Sequence, residues 1–385
     1  MINQSLVGAV LEAQKYKQIK NIYGALHGIK GILEENLIDL GKETPRVLEL
    51  VANTPSSALG TVRKKPTRDE CKQIFKNLKK HSIKYFFYIG GNDSAEAAMI
   101  INEYAETDGF DVCCVHIPKT IDNDLRENDH TPGYGTAAKF VACAFMGDNL
   151  DNRALPGVKI NVVMGRHAGF LTAASALGRL YPDDGPHLVY VPERSFSMTR
   201  FIDDVRSVYG SLGRCLVAVS EGISDSKGVP IVSKFMQETD SHGNVQLSGT
   251  GALGDLLAAA VREQTNITRV RADTLGYLQR SFPGVVSERD SKEARAVGVA
   301  AVREAIHTGE DGSIAVRRRP GRKYQIYLKM VPLNKVARDT RHMPPRFINE
   351  SGNNVTGAFA NYANPIVGDL PPIGRFRDLV SPKPR

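Results

Sequence analysis

The sequence predicts an α/β fold with two domains, each built on a doubly wound parallel sheet. Its 385 residues, 42% of them hydrophobic, exceed the ~250–300 residues at which a single hydrophobic core usually stops growing. Short apolar runs alternate with longer amphipathic segments, which is the pattern of βαβ units. Polar motifs directly follow several of the apolar runs, and doubly wound sheets bind their ligands at that end of their strands. The sequence therefore predicts one shared ligand cleft.

The predicted strands are continuous apolar runs, as expected for strands buried on both faces of a parallel sheet. They are Tyr85–Ile89, Val112–His116, Ile160–Met164, Leu188–Val191 and Leu216–Ser220. The predicted helices carry apolar residues at helical spacing. They are Ser5–Ala13, Ser94–Ala105, Tyr134–Asn149, His167–Leu180, Phe201–Tyr209, Thr250–Arg262 and Glu288–Ile306.

The charge balance disfavours a nucleic-acid partner. The net charge is +8, from 50 Lys and Arg against 42 Asp and Glu. The basic residues are spread along the chain, whereas nucleic-acid binders concentrate them in patches. The one run, Arg317–Lys323, is predicted to be an exposed loop before a strand at Tyr324–Met330. A solvated surface with basic pockets for anionic metabolites fits this distribution.

The cysteines and the hydropathy pattern favour a cytoplasmic protein without a membrane partner. The five cysteines are odd in number and show no CxxC spacing, so we expect reduced thiols rather than a disulfide framework or a zinc site. No apolar stretch reaches the ~18 residues of a membrane span. The N-terminus lacks the basic-then-apolar pattern of a secretion signal.

The segment Gly90-Gly91-Asn92-Asp93-Ser94 follows the first predicted strand and opens a helix. Paired glycines let backbone N–H groups approach a phosphate, and a helix N-terminus favours an anion. A tight turn capped by Asp93 or Ser94 explains the same pattern, so the motif alone leaves both interpretations open. Asp93 is unusual beside a phosphate, since its carboxylate repels an anion unless a metal or a lysine offsets the charge.

The segment from Pro118 to Asp124, PKTIDND, is more specific. Transfer of a phosphoryl group to a hydroxyl needs a base for the proton and cations for the transferred charge. Asp122 fits the base, Asp124 a Mg²⁺ ligand and Lys119 a phosphate clamp. An Asx-rich surface turn is the structural alternative for this spacing.

Several motifs in the same order resemble the phosphofructokinase family, in particular its pyrophosphate-using branch. They are GGNDS at 90–94, PKTIDND at 118–124, TPGYGTA at 131–137, MGRHAGF at 164–170, SEG at 220–222, GYLQR at 276–280, DTRHMP at 339–344 and YANP at 362–365. The resemblance covers nearly the whole chain. It implies two Rossmann-like domains with the active site between them: residues 1–133 plus about 280–345 for the donor, and residues 134–279 plus the C-terminal segment for the sugar phosphate.

The resemblance also implies an activity and its partners. Pyrophosphate would phosphorylate the 1-hydroxyl of fructose 6-phosphate reversibly, as a step of glycolysis and gluconeogenesis, with Mg²⁺ as cofactor. The family also implies a homodimer or homotetramer whose active sites are completed across an interface.

Residue by residue, the resemblance makes Asp122 the proton acceptor, and Asp122, Lys119 and Asp93 the catalytic set. Asp124 and Asn92 would hold the metal. The substrate-binding residues would be Gly91, Thr120, Ile121, Met164, Gly165, Arg166, Glu221, Arg271, Tyr277, Leu278, Gln279 and Arg280. Among them, Arg271 lies where a neighbouring subunit lends an arginine to the 6-phosphate.

Charge distinguishes the two possible donors. Relatives that use ATP resemble GGDG and PGTIDND, with glycines where this chain has Asp93 and Lys119. A carboxylate at position 93 opposes the α-phosphate of a nucleotide, and a lysine at position 119 stabilises a departing phosphate.

Three departures from the family accompany these expectations. The chain begins at about the point where the family's first strand and glycine-rich turn end, so we expect both to be missing, through a mis-assigned start or in a truncated paralogue. Asn92 stands where many relatives have a metal-linked aspartate. Gly157 stands where ATP-using relatives place an arginine, with Lys159 as the available substitute. An ATP-dependent phosphofructokinase and a non-catalytic sugar-phosphate-binding paralogue therefore remain the alternative functions.

Overall fold

The computed structural model describes residues 1–234, 251–321 and 323–376. The strands are β1 Tyr23–Ala25, β2 Leu37–Asp39, β3 Tyr85–Gly90, β4 Cys113–Pro118, β5 Val158–Val163, β6 Leu188–Tyr190, β7 Cys215–Ser220, β8 Val270–Thr274, β9 Gly312–Arg318 and β10 Ile326–Val331. The helices are α1 Ile2–Ala13, α2 Ile29–Leu33, α3 Pro45–Ala52, α4 Arg68–Lys80, α5 Asn92–Asp108, α6 Tyr134–Ala154, α7 Phe170–Ala174, α8 Met198–Leu212, α9 Ala252–Gln264, α10 Leu278–Ser281, α11 Glu288–Thr308, α12 Leu333–Val336 and α13 Gly357–Val367.

The first sheet has the strand order β10-β9-β4-β3 in the described residues. β3 and β4 pair in parallel over their whole length, from Tyr85 opposite Cys113 to Gly90 opposite Pro118. β4 is parallel to β9, and β10 adds an antiparallel edge. All six residues of β4 are buried, because α5 packs against one face of this sheet and α11 against the other.

The second sheet is all parallel, with the order β6-β7-β5-β8. β7 is buried throughout, and its alternate residues belong to two different hydrophobic clusters. Burial on both faces explains why this strand is a continuous apolar run in the sequence. The α/β class and the parallel-sheet architecture predicted from the sequence are thus confirmed.

Helices α1 and α11 cross at unusually close range, because each has a glycine at the contact. A Cβ atom on Gly298 would lie 2.0 Å from the carbonyl oxygen of Ser5, and one on Gly8 would lie 2.4 Å from that of Arg295. The Ser5 hydroxyl donates to the Ala294 carbonyl 2.9 Å away across the same crossing. This contact fixes the N-terminal end of α11 beside the first sheet.

The helix predicted at His167–Leu180 was wrong in extent, because α7 covers only Phe170–Ala174 and a 3₁₀ turn follows at Ser175–Gly178. Residues 167–169 and 179–180, at the two ends of the predicted helix, are not helical. The Glu193 carboxylate accepts the Gly169 N–H at 2.9 Å, just before α7 begins. Because α7 is buried throughout, its sequence lacks the polar face that marks the ends of an amphipathic helix.

The loop predicted at Arg317–Lys323 was also partly wrong. Arg317 and Arg318 belong to β9, where they pair with β10 and form ion pairs with Glu127 and Asp129. The sequence analysis missed β1, β2, β8 and β9, and β10 begins at Ile326 rather than at Tyr324. Arg322 of the predicted loop and Thr250 of a predicted helix lie outside the described residues. Within the described parts of the chain, no helix is both long and apolar enough to cross a membrane.

Candidate active site

The turn between β3 and α5 brings backbone N–H groups to the carboxyl end of the first sheet. β3 ends at Gly90, Gly91 is the residue before the helix, and α5 begins at Asn92. A Cβ atom on Gly90 would lie 2.1 Å from the Ser94 hydroxyl oxygen, so the turn is too tight for a side chain there. The first N–H groups of the 17-residue helix α5 have no carbonyl partners within the helix, which gives this end a partial positive charge.

Residues 119–133, called the substrate loop below, leave the next strand and are closed by their own hydrogen bonds. The Thr120 N–H donates to the Pro132 carbonyl at 3.1 Å, and the Thr131 hydroxyl donates to the Thr120 carbonyl at 2.9 Å. Asn123 adopts a left-handed conformation with a φ of +59°. Its side-chain oxygen accepts the Thr131 N–H at 3.0 Å and its amide donates to the Tyr362 hydroxyl at 2.8 Å. Both ends of one side chain thus hold the bend between Asp122 and Asp124.

Two carboxyl groups and an amide meet where the substrate loop faces α5. The Asn92 amide donates to Asp124 at 2.7 Å. One oxygen each of Asn92, Asp122 and Asp124 is buried without a hydrogen-bond partner. Buried acceptors are rarely left unpaired, and oxygen atoms of this kind are the ligands that Mg²⁺ prefers. The three residues therefore fit a hard divalent cation, although the described residues contain no group of three or more His, Cys, Asp or Glu side chains placed to hold a metal.

Burial raises the pKa of both carboxyl groups. For Asp122, burial raises the pKa, and Lys119, Arg280 and Arg166 partly offset this rise. For Asp124, burial and then the neighbouring Asp122 raise the pKa to about 7, against opposing hydrogen bonds from Asn92 and Thr120. A carboxylate with a raised pKa is a stronger base at neutral pH.

Lys119 brings a positive charge to the same place. Burial lowers the pKa of Lys119, the nearby Arg280 adds to this effect, and Asp122 and Asp290 oppose it. The structure therefore brings Lys119, Asp122, Arg166 and Arg280 close enough to influence one another's charge. A cation beside a carboxylate in a low-dielectric cleft suits a phosphate that is attacked by a hydroxyl group.

Asp93 lies on the rim of this cluster rather than inside it. Its side chain is 65% exposed, and the Lys65 ammonium lies 3.8 Å away and also binds Glu96 at 2.7 Å. Asp93 is in the first turn of α5, directly after Asn92. The lysine partner that the sequence pattern calls for is thus Lys65, and the catalytic role of Asp93 stays a prediction.

The second domain brings the ends of β5, β7 and β8 to the other side of the cleft. The Gly165 N–H donates to Glu221 at 3.4 Å, and the Met164 N–H donates to Gln279 at 3.2 Å. A Cβ atom on Gly222 would lie 2.0 Å from the Arg166 carbonyl oxygen, so these segments pass in close contact. Glu221 and Gln279 are buried and hold the MGR segment in place.

The substrate-binding residues predicted at 271 and 277–280 differ in exposure. The Arg280 guanidinium stacks 4.7 Å from the centre of the Tyr277 ring, and both side chains are exposed, as is Leu278. Arg271 is exposed on the outer strand β8. Lys159, the candidate substitute for the missing arginine, is held by Asp148 at 2.6 Å and Asp273 at 3.1 Å.

Comparison with known proteins identifies the family of this chain. The sequence profile described as "Phosphofructokinase" matches residues 2–305. The chain belongs to the phosphofructokinase family.

Relatives within the phosphofructokinase family are similar over nearly their full length. The chain is 55% identical to the pyrophosphate–fructose 6-phosphate 1-phosphotransferase of Rhodospirillum rubrum, covering 98% of this chain and 94% of that protein. It is 36% identical to the enzyme of the same name from Xanthomonas campestris, covering 96% and 90%. Its fold matches the crystal structure of a pyrophosphate-dependent phosphofructokinase from Nitrosospira multiformis with a TM-score of 0.85 and 32% identity, covering 97% and 90%.

Two side chains of this phosphofructokinase site escaped the sequence analysis. The buried Asp290 accepts the N–H groups of Gly133 at 2.8 Å and Thr136 at 2.7 Å, and so ties the end of the substrate loop to α11. His116, buried in β4, contacts the Gly90 carbonyl at 3.0 Å and the Ser313 hydroxyl at 2.8 Å. Asp290 resembles an ordinary first-turn helix residue in the sequence, and His116 lies inside an apolar run, so neither gave a signal.

Proposed function

We propose that this phosphofructokinase transfers a phosphoryl group from pyrophosphate to the 1-hydroxyl of fructose 6-phosphate. The products are fructose 1,6-bisphosphate and phosphate, and the reaction runs in both directions. The observation that carries the proposal is the meeting of Lys119, Asp122 and Asp124 at the end of β4, in a chain so similar to enzymes named for this reaction.

Asp122 acts as the base in this proposal. Its carboxylate takes the proton of the 1-hydroxyl while the hydroxyl oxygen attacks one phosphorus atom of pyrophosphate. The bond from that phosphorus to the bridging oxygen breaks, and the bridging oxygen leaves with the second phosphate. Lys119 stabilises the charge on this leaving phosphate, and the N–H groups at Gly91 and the start of α5 hold the donor.

Asp124 and Asn92 are the proposed holders of Mg²⁺, with the free oxygen of Asp122 nearby. The ion would neutralise charge on the phosphate oxygens of the donor. A neutral amide in place of a second carboxylate weakens attraction for the ion, so we expect Mg²⁺ to bind mainly together with pyrophosphate.

The sugar phosphate is proposed to lie against the second domain. The proposed contacts are those of the family resemblance: Thr120, Ile121, Met164, Gly165, Arg166, Glu221, Tyr277, Leu278, Gln279, Arg280 and Arg271 of a neighbouring subunit. The exposure of Arg271 on an outer strand supports a contribution across an interface in a homodimer or homotetramer. The domain limits stay as proposed from the sequence, and the five free cysteines are compatible with the expected cytoplasmic location.

The donor is tested by measuring fructose 6-phosphate phosphorylation with Mg²⁺ and either pyrophosphate or ATP. We expect rapid turnover with pyrophosphate and little with ATP, because Asp93 opposes a nucleotide phosphate and Lys119 suits an inorganic leaving group. Lys119→Met should remove most of the pyrophosphate-dependent activity, whereas Lys76→Met, at an exposed position of α4, should retain it. Equal rates with both donors would contradict the donor assignment, and no turnover with either would favour a non-catalytic paralogue.

A further inference from the structure

The rear of the substrate loop carries a buried histidine between two carboxylates. The His130 side chain is 2% exposed. Its Nδ1 atom lies 2.9 Å from Asp129 and its Nε2 atom 2.6 Å from Glu293 of α11. The Tyr324 hydroxyl donates to the other oxygen of Glu293 at 2.8 Å, and its oxygen lies 3.2 Å from Nε2.

With both carboxyl groups ionised, this arrangement requires a positively charged ring. A neutral imidazole has one N–H and one bare nitrogen, and either orientation would set a lone pair against a carboxylate at hydrogen-bond distance. Burial alone lowers the pKa of His130, but the hydrogen bonds to Asp129 and Glu293 outweigh burial and raise it. The pKa of Asp129 is lowered despite its burial, because His130 and Arg318 bind it.

Charged and titratable groups from each neighbouring element face this cluster. Arg318 of β9 donates to Asp129 at 3.1 Å. Arg289 of α11 and Arg318 both lie over the Tyr324 ring, at 4.3 and 4.8 Å from its centre. Tyr362 of α13 donates its hydroxyl to the Asp129 carbonyl at 2.7 Å. Arg341 donates to the Asn128 carbonyl at 2.9 Å, and its charge also acts on Asp129. Asp129 therefore keeps the charges of Arg318 and Arg341 when the ring loses its proton, whereas Glu293 loses its ion pair with His130.

The cluster is linked to the catalytic carboxylates through two short paths. Thr131, the next residue, donates its N–H to Asn123 and its hydroxyl to Thr120. Tyr362 joins the Asp129 carbonyl to the Asn123 amide. Asn123 is the left-handed residue between Asp122 and Asp124, so movement of residues 129–131 disturbs the hydrogen-bond partners at both ends of its side chain.

We propose that His130, as an imidazolium held between Asp129 and Glu293, is a positioning residue that fixes the substrate loop to α11 and sets an alkaline limit on turnover. The expected effect on turnover rests on the proposed function. The charge on the His130 ring does not depend on that function. As pH rises through the raised pKa of His130, the ring loses its charge, one carboxylate loses its donor, and the bend at Asn123 loosens. Turnover should then fall, because Asp122 is no longer held in place beside this bend.

The charge is tested directly by following the His130 ring signals by NMR between pH 5 and 10 in the unsubstituted protein. We expect a ring that stays protonated above neutral pH, and the signals are assigned with a His130→Gln variant. In Glu293→Gln, which keeps the shape but removes one negative partner, the midpoint should fall by roughly 1 pH unit or more. A ring that is neutral at pH 7 in the unsubstituted protein would overturn the proposal.

The positioning role is tested by kcat against pH and by hydrogen exchange of peptides from residues 119–133. In Glu293→Gln, the alkaline limb of kcat should move to lower pH, in parallel with the ring titration, and the loop should exchange faster at pH 8 than in the unsubstituted protein. The matched control is Glu35→Gln, which removes the carboxylate 3.7 Å from the surface residue His81 and should change neither. An unmoved alkaline limb with unchanged loop exchange would overturn the positioning role. Failure of the unsubstituted protein to turn over would instead count against the proposed function, while ring titration and loop exchange still decide the role of His130.

Discussion

The properties of the catalytic side chains come from burial and from neighbouring charges. Asp122 and Asp124 are the same residue type two positions apart, yet Asn92 binds only Asp124, whereas Lys119, Arg280 and Arg166 act on Asp122. These neighbours give the two carboxylates different surroundings, which is how paired carboxylates take on different roles. This difference fits the proposed roles, with Asp122 as the base and Asp124 as a metal ligand.

Replacing Asp122 tests the base. Asp122→Ser should lower kcat by a factor of ~10² or more, as expected when a positioned base is lost, with a smaller change in KM for fructose 6-phosphate. Steady-state kinetics with saturating pyrophosphate and Mg²⁺ measure both. Asp69→Ser, at a side chain that is 91% exposed, is the control and should keep the original rate. A near-native kcat in Asp122→Ser would remove this residue from the role of base.

His116 gives the protein a dependence of stability on acid pH. Burial lowers its pKa from 6.5 to about 4. Between these two pH values His116 is therefore protonated in the unfolded chain and neutral in the folded chain. Protonation of His116 does not reduce the free energy of unfolding above pH 6.5. As the pH falls from 6.5 toward 4, it lowers the free energy of unfolding, by ~2 kcal/mol at pH 5. Urea unfolding at pH 8 and pH 5 measures the difference, which should shrink in His116→Gln. His307→Gln, at an exposed position of α11, is the control for loss of a histidine from the surface.

At the scale of secondary-structure elements, the cleft depends on how helices meet behind it. Asp290 of α11 binds N–H groups at the start of α6, and the N-terminal half of α11 crosses α1 at the two glycines. These contacts hold the substrate loop between the two sheets. A substitution that pushes α1 and α11 apart should therefore lower the free energy of unfolding.

Two helical glycines make a matched pair for this test. Gly298→Ala places a methyl group 2.0 Å from the Ser5 carbonyl oxygen, so it should destabilise the protein by ~1–3 kcal/mol through overpacking. Gly147 lies within α6, and a Cβ atom added to it would have no neighbour within 4 Å, so Gly147→Ala should stabilise by ~0.5–1 kcal/mol through helix propensity. Free energies of unfolding in urea give both values. Similar values for the two variants would show that close packing of α1 on α11 is unimportant.

At the scale of the whole molecule, the second domain leaves charged and apolar side chains exposed beside the cleft. Arg271 lies on the outer strand β8, and Tyr277, Leu278 and Phe282 are exposed on the segment that follows. If Arg271 binds the sugar phosphate as proposed, its position on an outer strand suits binding to the substrate of a neighbouring copy of the chain. Oligomers that mix subunits with different substitutions test this arrangement.

Arg271→Ala should raise KM for fructose 6-phosphate by at least ~10-fold, as for loss of a charge-assisted hydrogen bond. If Arg271 serves the neighbouring subunit, mixed oligomers of Arg271→Ala and Asp122→Ser contain some active sites with both native residues. Co-expression of the two variants with different tags and purification of the mixed species should then restore activity above that of either variant alone. No gain in the mixed species would assign Arg271 to its own subunit or to another role. Arg262→Ala, at an exposed position of α9, is the control for a general loss of positive charge.

The sequence by itself determined the α/β class, the order of most strands and helices, and the residues of the substrate loop. Local chemistry decides these features: apolar runs predict buried strands, glycines mark tight turns, and Lys119, Asp122 and Asp124 are close because they are close in the chain. The same local reasoning overextended the helix at His167–Leu180 and missed β9, because buried segments do not show their ends in a polar pattern.

Only the tertiary structure decided which distant residues complete the site. Asp290 lies more than 150 positions from Gly133 and Thr136, and Glu293 lies 163 positions from His130. Nothing in the local sequence of either residue marks it. Tertiary packing also set Asp93 against Lys65 on the rim, and placed His130 between two carboxylates. Burial and distance through space govern these charges, and both are properties of the folded chain rather than of spacing along it.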